Sequence, residues 1–201
     1  MSSLFAWRGI DDPQRFDVAS LSLEADSMRA HGTSITRSYA SSWSLEVGRG
    51  WVTRSLAVQV HGGDWRRSLL LERDEHGRWH AAASTSGDAD YPAPGLVNPS
   101  DVEDALDCDL ALCPVTNTMP IRRLSLRDRA VPATALIMAW VDVPTLQVVR
   151  SDQTYAADPA ASPGKVQFAS DGGDFRSELT IDDDGIVIDY PQLARRARLP
   201  R

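Results

Sequence analysis

One segment of the chain, residues 106–124, concentrates side chains that are able to bind a polar ligand. Two carboxylates, three neighbouring hydrogen-bonding groups and two guanidinium groups lie within it: Asp107, Asp109, Thr116, Asn117, Thr118, Arg122 and Arg123. Amide and hydroxyl groups exchange hydrogen bonds with polar head groups, and the planar fork of arginine fits carboxylates and phosphates. The segment therefore predicts a binding site for the polar head of a ligand.

The same residues admit two other interpretations. Arg122 or Arg123 could neutralise Asp107 or Asp109 inside the fold, because a buried charge has to be paired. We expect this structural role for at least one of the two arginines. Alternatively, Asp107 or Asp109 could be the base of a hydrolase-type enzyme on a small acidic or sugar substrate, with an arginine clamping the anion.

A second group of candidate residues, Trp51 and Arg54, begins an alternating stretch at residues 51–60. Tryptophan rings can line a ligand cavity, although they more often belong to ordinary packing. In a regular strand, successive side chains point to opposite faces, so Trp51 and Arg54 lie on opposite sides. Both can line one cavity only if a bulge interrupts the strand.

Familiar catalytic and cofactor motifs are missing from the sequence. It contains no nucleophile elbow, P-loop, dinucleotide-binding glycine pattern or zinc-protease motif, and its four histidines lack metal-ligand spacing. We therefore expect a protein that is not an enzyme and that has neither a metal site nor a cofactor. The net charge of −7 also argues against nucleic acid as a partner.

Period-two hydrophobic patterns position these residues on strands. The 201 residues suit a single domain, and their 42% hydrophobic content suits a folded one. Short strands are predicted at residues 15–18, 21–24, 32–36, 43–47, 51–60, 69–72, 78–81, 136–141, 146–149, 175–181 and 186–188. About a dozen strands with frequent turn signals are typical of an antiparallel sandwich, barrel or roll.

Helical patterns are scarce, and the best candidate follows Pro120. Proline suits the first turn of a helix, and Ile121 and Leu124 would then share one face. A strand over residues 121–126 fits the pattern nearly as well. We favour a short helix, flanked by Arg122 and Arg123.

The cysteines and the apolar runs indicate a cytoplasmic protein. Cys108 and Cys113 are the only cysteines, and such a close pair is more often two reduced thiols than a disulfide. The longest apolar stretch, residues 133–141, is about half of a membrane span. The start of the sequence also lacks a secretory signal pattern.

The run at residues 116–124, Thr-Asn-Thr-Met-Pro-Ile-Arg-Arg-Leu, resembles the signature of the putative glycolipid-binding family of bacterial proteins. Asp107-Cys-Asp-Leu110, Trp51-x-x-Arg54, Gln153-x-Tyr155 and residues 175–191 are also similar to that family, so the likeness extends over residues 1–201 as one domain. The resemblance implies a mainly-β spiral roll, in which a long antiparallel sheet of a dozen or more strands wraps around one short helix. It also implies that this helix begins around residues 118–120, and that the roll is similar to the half-barrel carriers of bacterial lipoproteins.

Three functions follow as hypotheses. The first is non-enzymatic binding of a lipid- or glycolipid-like amphiphile in the concave interior of the roll, by Thr116, Asn117, Thr118, Arg122, Arg123, Asp107, Asp109, Trp51 and Arg54. The second is the hydrolase-type enzyme described above. The third is a homodimeric scaffold that pairs through an exposed edge of the sheet.

Overall fold

We describe residues 2–198 of the protein from a computed structural model. Its strands are β1 (Ser3–Gly9), β2 (Phe16–Leu23), β3 (Met28–Ile35), β4 (Ala40–Gly48), β5 (Val52–His61), β6 (Arg66–Arg73), β7 (Trp79–Ser86), β8 (Gly95–Leu96), β9 (Asp107–Leu110), β10 (Val131–Val141), β11 (Gln147–Ala157), β12 (Lys165–Ser170), β13 (Phe175–Ile181), β14 (Val187–Tyr190) and β15 (Ala194–Arg196). Helix α1 (Thr118–Arg123) and three 3₁₀ turns (Arg49–Trp51, Pro99–Val102 and Asp171–Gly173) complete the elements.

A single sheet contains all 15 strands. Its order is β7-β6-β5-β4-β3-β2-β1-β15-β14-β13-β12-β11-β10-β9, with β8 added on β11. Two meanders therefore run outward from the middle, where β1 and β15 pair antiparallel with Trp7 opposite Arg196. Among the described strands, only the pairs β9–β10 and β8–β11 are parallel.

The sheet curls so that its last strand returns to the other half. The backbone N–H of Thr53 on β5 donates to the carbonyl of Leu106, which precedes β9 (3.1 Å). The hydroxyl of Thr53 accepts from the N–H of Cys108 on β9 (3.0 Å). The expected mainly-β spiral roll around one short helix is confirmed.

Helix α1 packs between two buried apolar clusters inside the roll. Met119 belongs to the cluster formed mainly by the N-terminal meander, and Ile121 belongs to the cluster of the C-terminal meander. Both side chains are at most 1% exposed. The predicted helix after Pro120 is thus present, it begins at Thr118, and the strand alternative for residues 121–126 is wrong.

Several strand predictions need correction. Residues 15–18 and 21–24 were expected as separate strands, but β2 is continuous because Ala19 and Leu21 keep the inward alternation across the interval. β1 was not predicted, since its apolar residues are consecutive rather than alternating. β12 was missed although Val166 and Phe168 alternate inward.

No helix described within residues 2–198 is long and apolar enough to cross a membrane. The two cysteines are free, with Cys108 buried and Cys113 half-buried. In the same described range, no three side chains of His, Cys, Asp or Glu come together as metal ligands.

Candidate functional site

A pocket of about 350 Å³ lies between the segment at residues 109–117 and strands β10–β14. Polar side chains on its wall are Asp109, Asn117, Arg150, Ser151, Gln153 and Ser170. The apolar and aromatic wall includes Leu110, Leu112, Trp140, Val149, Phe168, Phe175, Tyr190 and Leu193. The pocket therefore offers a polar end and an apolar side to one small ligand.

A directed chain of hydrogen bonds ends at Asp109. Asn117 Nδ2 donates to the Tyr155 hydroxyl (2.8 Å), which donates to Gln153 Oε1 (3.0 Å). Gln153 Nε2 then donates to Asp109 Oδ2 (2.7 Å), and Thr116 Oγ1 donates to Asp109 Oδ1 (2.6 Å). Both carboxylate oxygens of Asp109 are hydrogen-bonded, so this series of hydrogen bonds ends at Asp109.

Regular strand geometry brings these groups together. Gln153 and Tyr155 are two residues apart on β11, so they share its inward face and are both buried. Asp109 lies on β9, and Asn117 immediately precedes α1. Helix α1 therefore positions the side-chain amide of Asn117 in the same pocket as the carboxylate of Asp109 on β9.

Asp109 has an unusual electrostatic environment. Burial raises its pKa above the usual value, the hydrogen bonds from Thr116 and Gln153 lower it, and the charge of Asp107 raises it. No cationic group is among these influences. Burial, followed by the charge of Asp109, also raises the pKa of Tyr155 well above its ordinary value.

Aromatic rings form the side of the pocket next to Asp109. Trp140 is paired with Asp109 across the parallel strands β10 and β9, so the two side chains are lateral neighbours. Trp140 is only half-buried and lines the pocket. Phe168 packs against Phe175 and Tyr190, with ring centroids 6.1 and 5.8 Å away.

Asp107 does not line the pocket and is paired with Arg123. The two guanidinium nitrogens of Arg123 donate to the two carboxylate oxygens of Asp107 at 2.6 and 2.5 Å, and Nη1 also donates to the carbonyl of Trp51 (3.0 Å). Burial raises the pKa of Asp107, and the hydrogen bond and charge of Arg123 lower it. The internal ion pair expected from the sequence is therefore Arg123–Asp107.

Arg122 and Trp51 form a different cleft on the other side of α1. The Arg122 guanidinium carbon lies 4.9 Å from the centre of the Trp51 ring. The cleft around them has a volume of about 190 Å³ and includes Ser125 and Arg127, but none of the polar pocket residues. Neither Arg122 nor Trp51 reaches the Asp109 pocket.

Arg54 lies outside both sites because of a β-bulge. Val47 pairs with Thr53 and Glu46 pairs with Ser55, so Arg54 is the extra residue between them. Thr53 and Leu56 point inward, and Arg54 is exposed. The bulge thus breaks the regular alternation predicted for residues 51–60, but it does not bring Arg54 into a cavity with Trp51.

The remaining candidate residues have different positions. Asn117 lines the pocket, and Thr116 supports Asp109 from outside the lining. Thr118 is fully buried, and its hydroxyl has no hydrogen-bond partner among residues 2–198. Of the expected residues, the structure gathers Asp109, Asn117 and Thr116 around one pocket.

Sequence reasoning did not include Gln153, Tyr155, Trp140 or the aromatic cluster in the site. Gln153-x-Tyr155 carried part of the family resemblance, and a polar residue alternating with a tyrosine in an apolar strand is a signal for a buried polar contact. Trp140 and Phe168 show no such signal, because aromatic residues at alternating positions are ordinary in any sheet.

The fold and the pocket define a mainly-β roll with a small amphipathic cavity. The comparison with protein families matches residues 4–196 to the family described as putative glycolipid-binding, and the chain belongs to that family. It is also similar to the crystal structure of a DUF1089 family protein from Pseudomonas aeruginosa. That likeness has 27% sequence identity, covers 90% of this chain and 92% of the other, and has a TM-score of 0.67. No curated protein matches the chain.

Proposed function

We propose that this protein binds an amphiphilic, lipid- or glycolipid-like molecule without transforming it. The polar head lies against Asp109 and Asn117, and the apolar part lies along the rings of Trp140 and Phe175. The lateral pairing of Asp109 with Trp140 carries the proposal, because a hydrogen-bond acceptor beside a half-buried aromatic ring in a pocket suits a ligand with a polar and an apolar side.

The size of the pocket limits how the ligand is held. Two apolar clusters fill most of the interior of the roll, and about 350 Å³ remains beside Asp109. Ligand pockets for small molecules start at about 300 Å³. The pocket therefore holds a head group with a short apolar portion, and a longer chain extends from its mouth.

Native mass spectrometry of the protein purified from its own host, followed by lipid extraction, tests this function. We expect a bound mass that disappears on extraction and is reduced in a Trp140→Ala variant. A matched control is Trp51→Ala, which alters the separate cleft at Arg122. Protein that carries no ligand under gentle conditions, and that no added amphiphile stabilises, would contradict the proposal.

Catalysis has weaker support. Arg123 is paired with Asp107, and Arg150 at the pocket is paired with Asp152, so neither of these two arginines is free to clamp an anion beside Asp109. Asp109 has a raised pKa within a pocket, which is the single observation in favour of a base. We expect no hydrolysis of nitrophenyl glycosides or esters above the rate in buffer alone. Hydrolysis that the Asp109→Asn substitution abolishes would favour the enzyme hypothesis over binding.

We also propose a cytoplasmic setting, because the free thiols of Cys108 and Cys113 suit a reducing compartment.

A homodimeric scaffold is the remaining alternative function. Strand β7 favours it, because this strand ends the sheet and its residues 80–86 are exposed. Light scattering after size exclusion at several concentrations tests it, and a monomer throughout would eliminate the scaffold.

A further inference from the structure

We propose that the Asp109 pocket selects uncharged head groups rich in hydroxyls, such as a sugar ring or glycerol, and rejects anionic head groups such as phosphate or carboxylate. This inference rests on the proposed binding function and adds the chemical class of the ligand. Asp109 is the specificity-determining residue.

Two side chains hydrogen-bond the carboxyl group of Asp109. Gln153 Nε2 and Thr116 Oγ1 each donate to a different oxygen of the carboxylate. A carboxylate has about four acceptor positions, so about two remain after these contacts. Since Asp109 is half-buried and lines the pocket, the remaining positions are available to hydroxyl groups of a ligand.

Two further groups near Asp109, the side chain of Asn117 and the ring of Trp140, also suit a ligand that donates hydrogen bonds. Asn117 uses its Nδ2 atom for Tyr155, while its Oδ1 atom accepts no hydrogen bond from the residues that the structure describes. The half-buried ring of Trp140 lies beside Asp109 and offers a flat face to the C–H side of a sugar ring. A carboxylate next to an aromatic face thus matches a ring that carries hydroxyls at its edge.

Positive charges near the pocket are already compensated. Arg150 donates to both oxygens of Asp152 at 2.6 to 3.1 Å. Arg15, which donates to the carbonyl of the pocket residue Leu112, is paired with Asp11 and Asp17. An anionic head group would meet the carboxylate of Asp109, and both of these nearby arginines already have carboxylate partners. Like charges at close range disfavour binding.

Two probes with the same apolar tail test the selection. Octyl β-glucoside and octyl phosphate are titrated into the intact protein by calorimetry below their micelle concentrations. The indole N–H signal of Trp140 in NMR spectra locates the binding. We expect the glucoside to bind at least about tenfold more tightly than the phosphate, and Trp140 to shift with the glucoside.

Two variants test whether charge causes the preference for the glucoside. In Asp109→Asn, the affinities for octyl β-glucoside and octyl phosphate should differ by no more than about twofold. Asp152→Asn, which releases Arg150, should strengthen the binding of octyl phosphate. Equal or tighter binding of octyl phosphate by the natural protein would overturn the selectivity and leave the proposed function in place. If neither probe binds, the proposed function fails and the selectivity fails with it. The comparison of the two probes on the natural protein decides the question even if Asp109→Asn does not fold.

Discussion

The guanidinium of Arg15 donates a hydrogen bond of 2.9 Å to the carbonyl of Leu112, which lies in the wall of the pocket. Its second nitrogen donates to the carbonyl of Leu193 (2.6 Å), another pocket residue. Arg15 is 1% exposed. One buried side chain from the loop that leads into β2 therefore joins two walls of the pocket that are distant in sequence.

Replacement of Arg15 by Met is expected to lower the free energy of unfolding by about 3–5 kcal/mol, because it leaves the buried carboxylate of Asp17 without its partner. Urea unfolding measures the loss. The control Arg29→Met removes an exposed pair with Glu46 and should cost less than about 1 kcal/mol. Similar losses for both variants would contradict the structural role of Arg15.

The buried pair Arg123–Asp107 should show strong coupling. Arg123→Met alone leaves the Asp107 carboxylate buried and unpaired, so we expect a loss of about 3–5 kcal/mol. The double variant Arg123→Met, Asp107→Asn should recover part of this loss. A double-mutant cycle from urea unfolding measures the coupling, and additive effects would show that the two side chains do not interact.

Asp109 should make stability depend on pH in the direction opposite to a salt-bridged carboxylate. Its pKa is raised from 3.8 in the folded state, so the folded protein binds the proton more tightly than the unfolded chain. The contribution of Asp109 to stability therefore falls as the pH rises from about 4 through its folded pKa. Asp109→Asn should be less destabilising at pH 7 than at pH 4 in urea unfolding. A loss that grows with pH would mean that the pKa of Asp109 is lowered on folding.

The turn at Gly185 should tolerate a methyl group poorly. Its φ angle is +79°, and an added Cβ would lie 3.2 Å from side-chain atoms of Ile121 and Arg122 on α1. Gly50 has a φ angle of +73° and open space around it. Backbone strain should lower the free energy of unfolding by about 1 kcal/mol in both Gly50→Ala and Gly185→Ala. Gly185→Ala should lose more stability than Gly50→Ala, because its added Cβ also contacts α1. Thermal unfolding compares them, and equal losses would argue against close packing of α1 on this turn.

Both thiols should resist modification in the folded protein. Burial raises the pKa of Cys113 to about 12 and raises the pKa of Cys108 further. Because the thiolate is the reactive form, Ellman's reagent at pH 8 should detect almost no thiol in the native protein and two per chain in denaturant. Rapid reaction of one thiol in the native protein would show that the half-buried Cys113 thiol is accessible to the reagent.

Local patterns were sufficient for the elements that carry the site. In residues 107–110, Asp107 and Asp109 alternate with Cys108 and Leu110, which are buried on the other face in an apolar cluster. Pro120 correctly indicates the short helix, which begins two residues earlier at Thr118. Both features depend on neighbouring residues, and the rules for strands and helix ends use the same information.

Long-range contacts were beyond such rules. Nothing near Asp109 indicates that Gln153 donates to it from a strand 44 positions later, or that Trp140 is its neighbour across the sheet. The bulge at Arg54 likewise arises from pairing with β4 and not from its own sequence. The candidate site was therefore predicted as a segment, while its pocket emerged only from the pairing of distant strands.

The pairing of β1 with β15 has a consequence for how the chain is made. Synthesis delivers β1 long before β15, yet these two strands form the centre of the sheet. While the ribosome adds the intervening residues, β1 has a partner only on its β2 side, and its other edge stays open to contact with other chains. The two meanders can join only after β15 has been made, so a contact between strands far apart in sequence lies in the middle of the finished sheet.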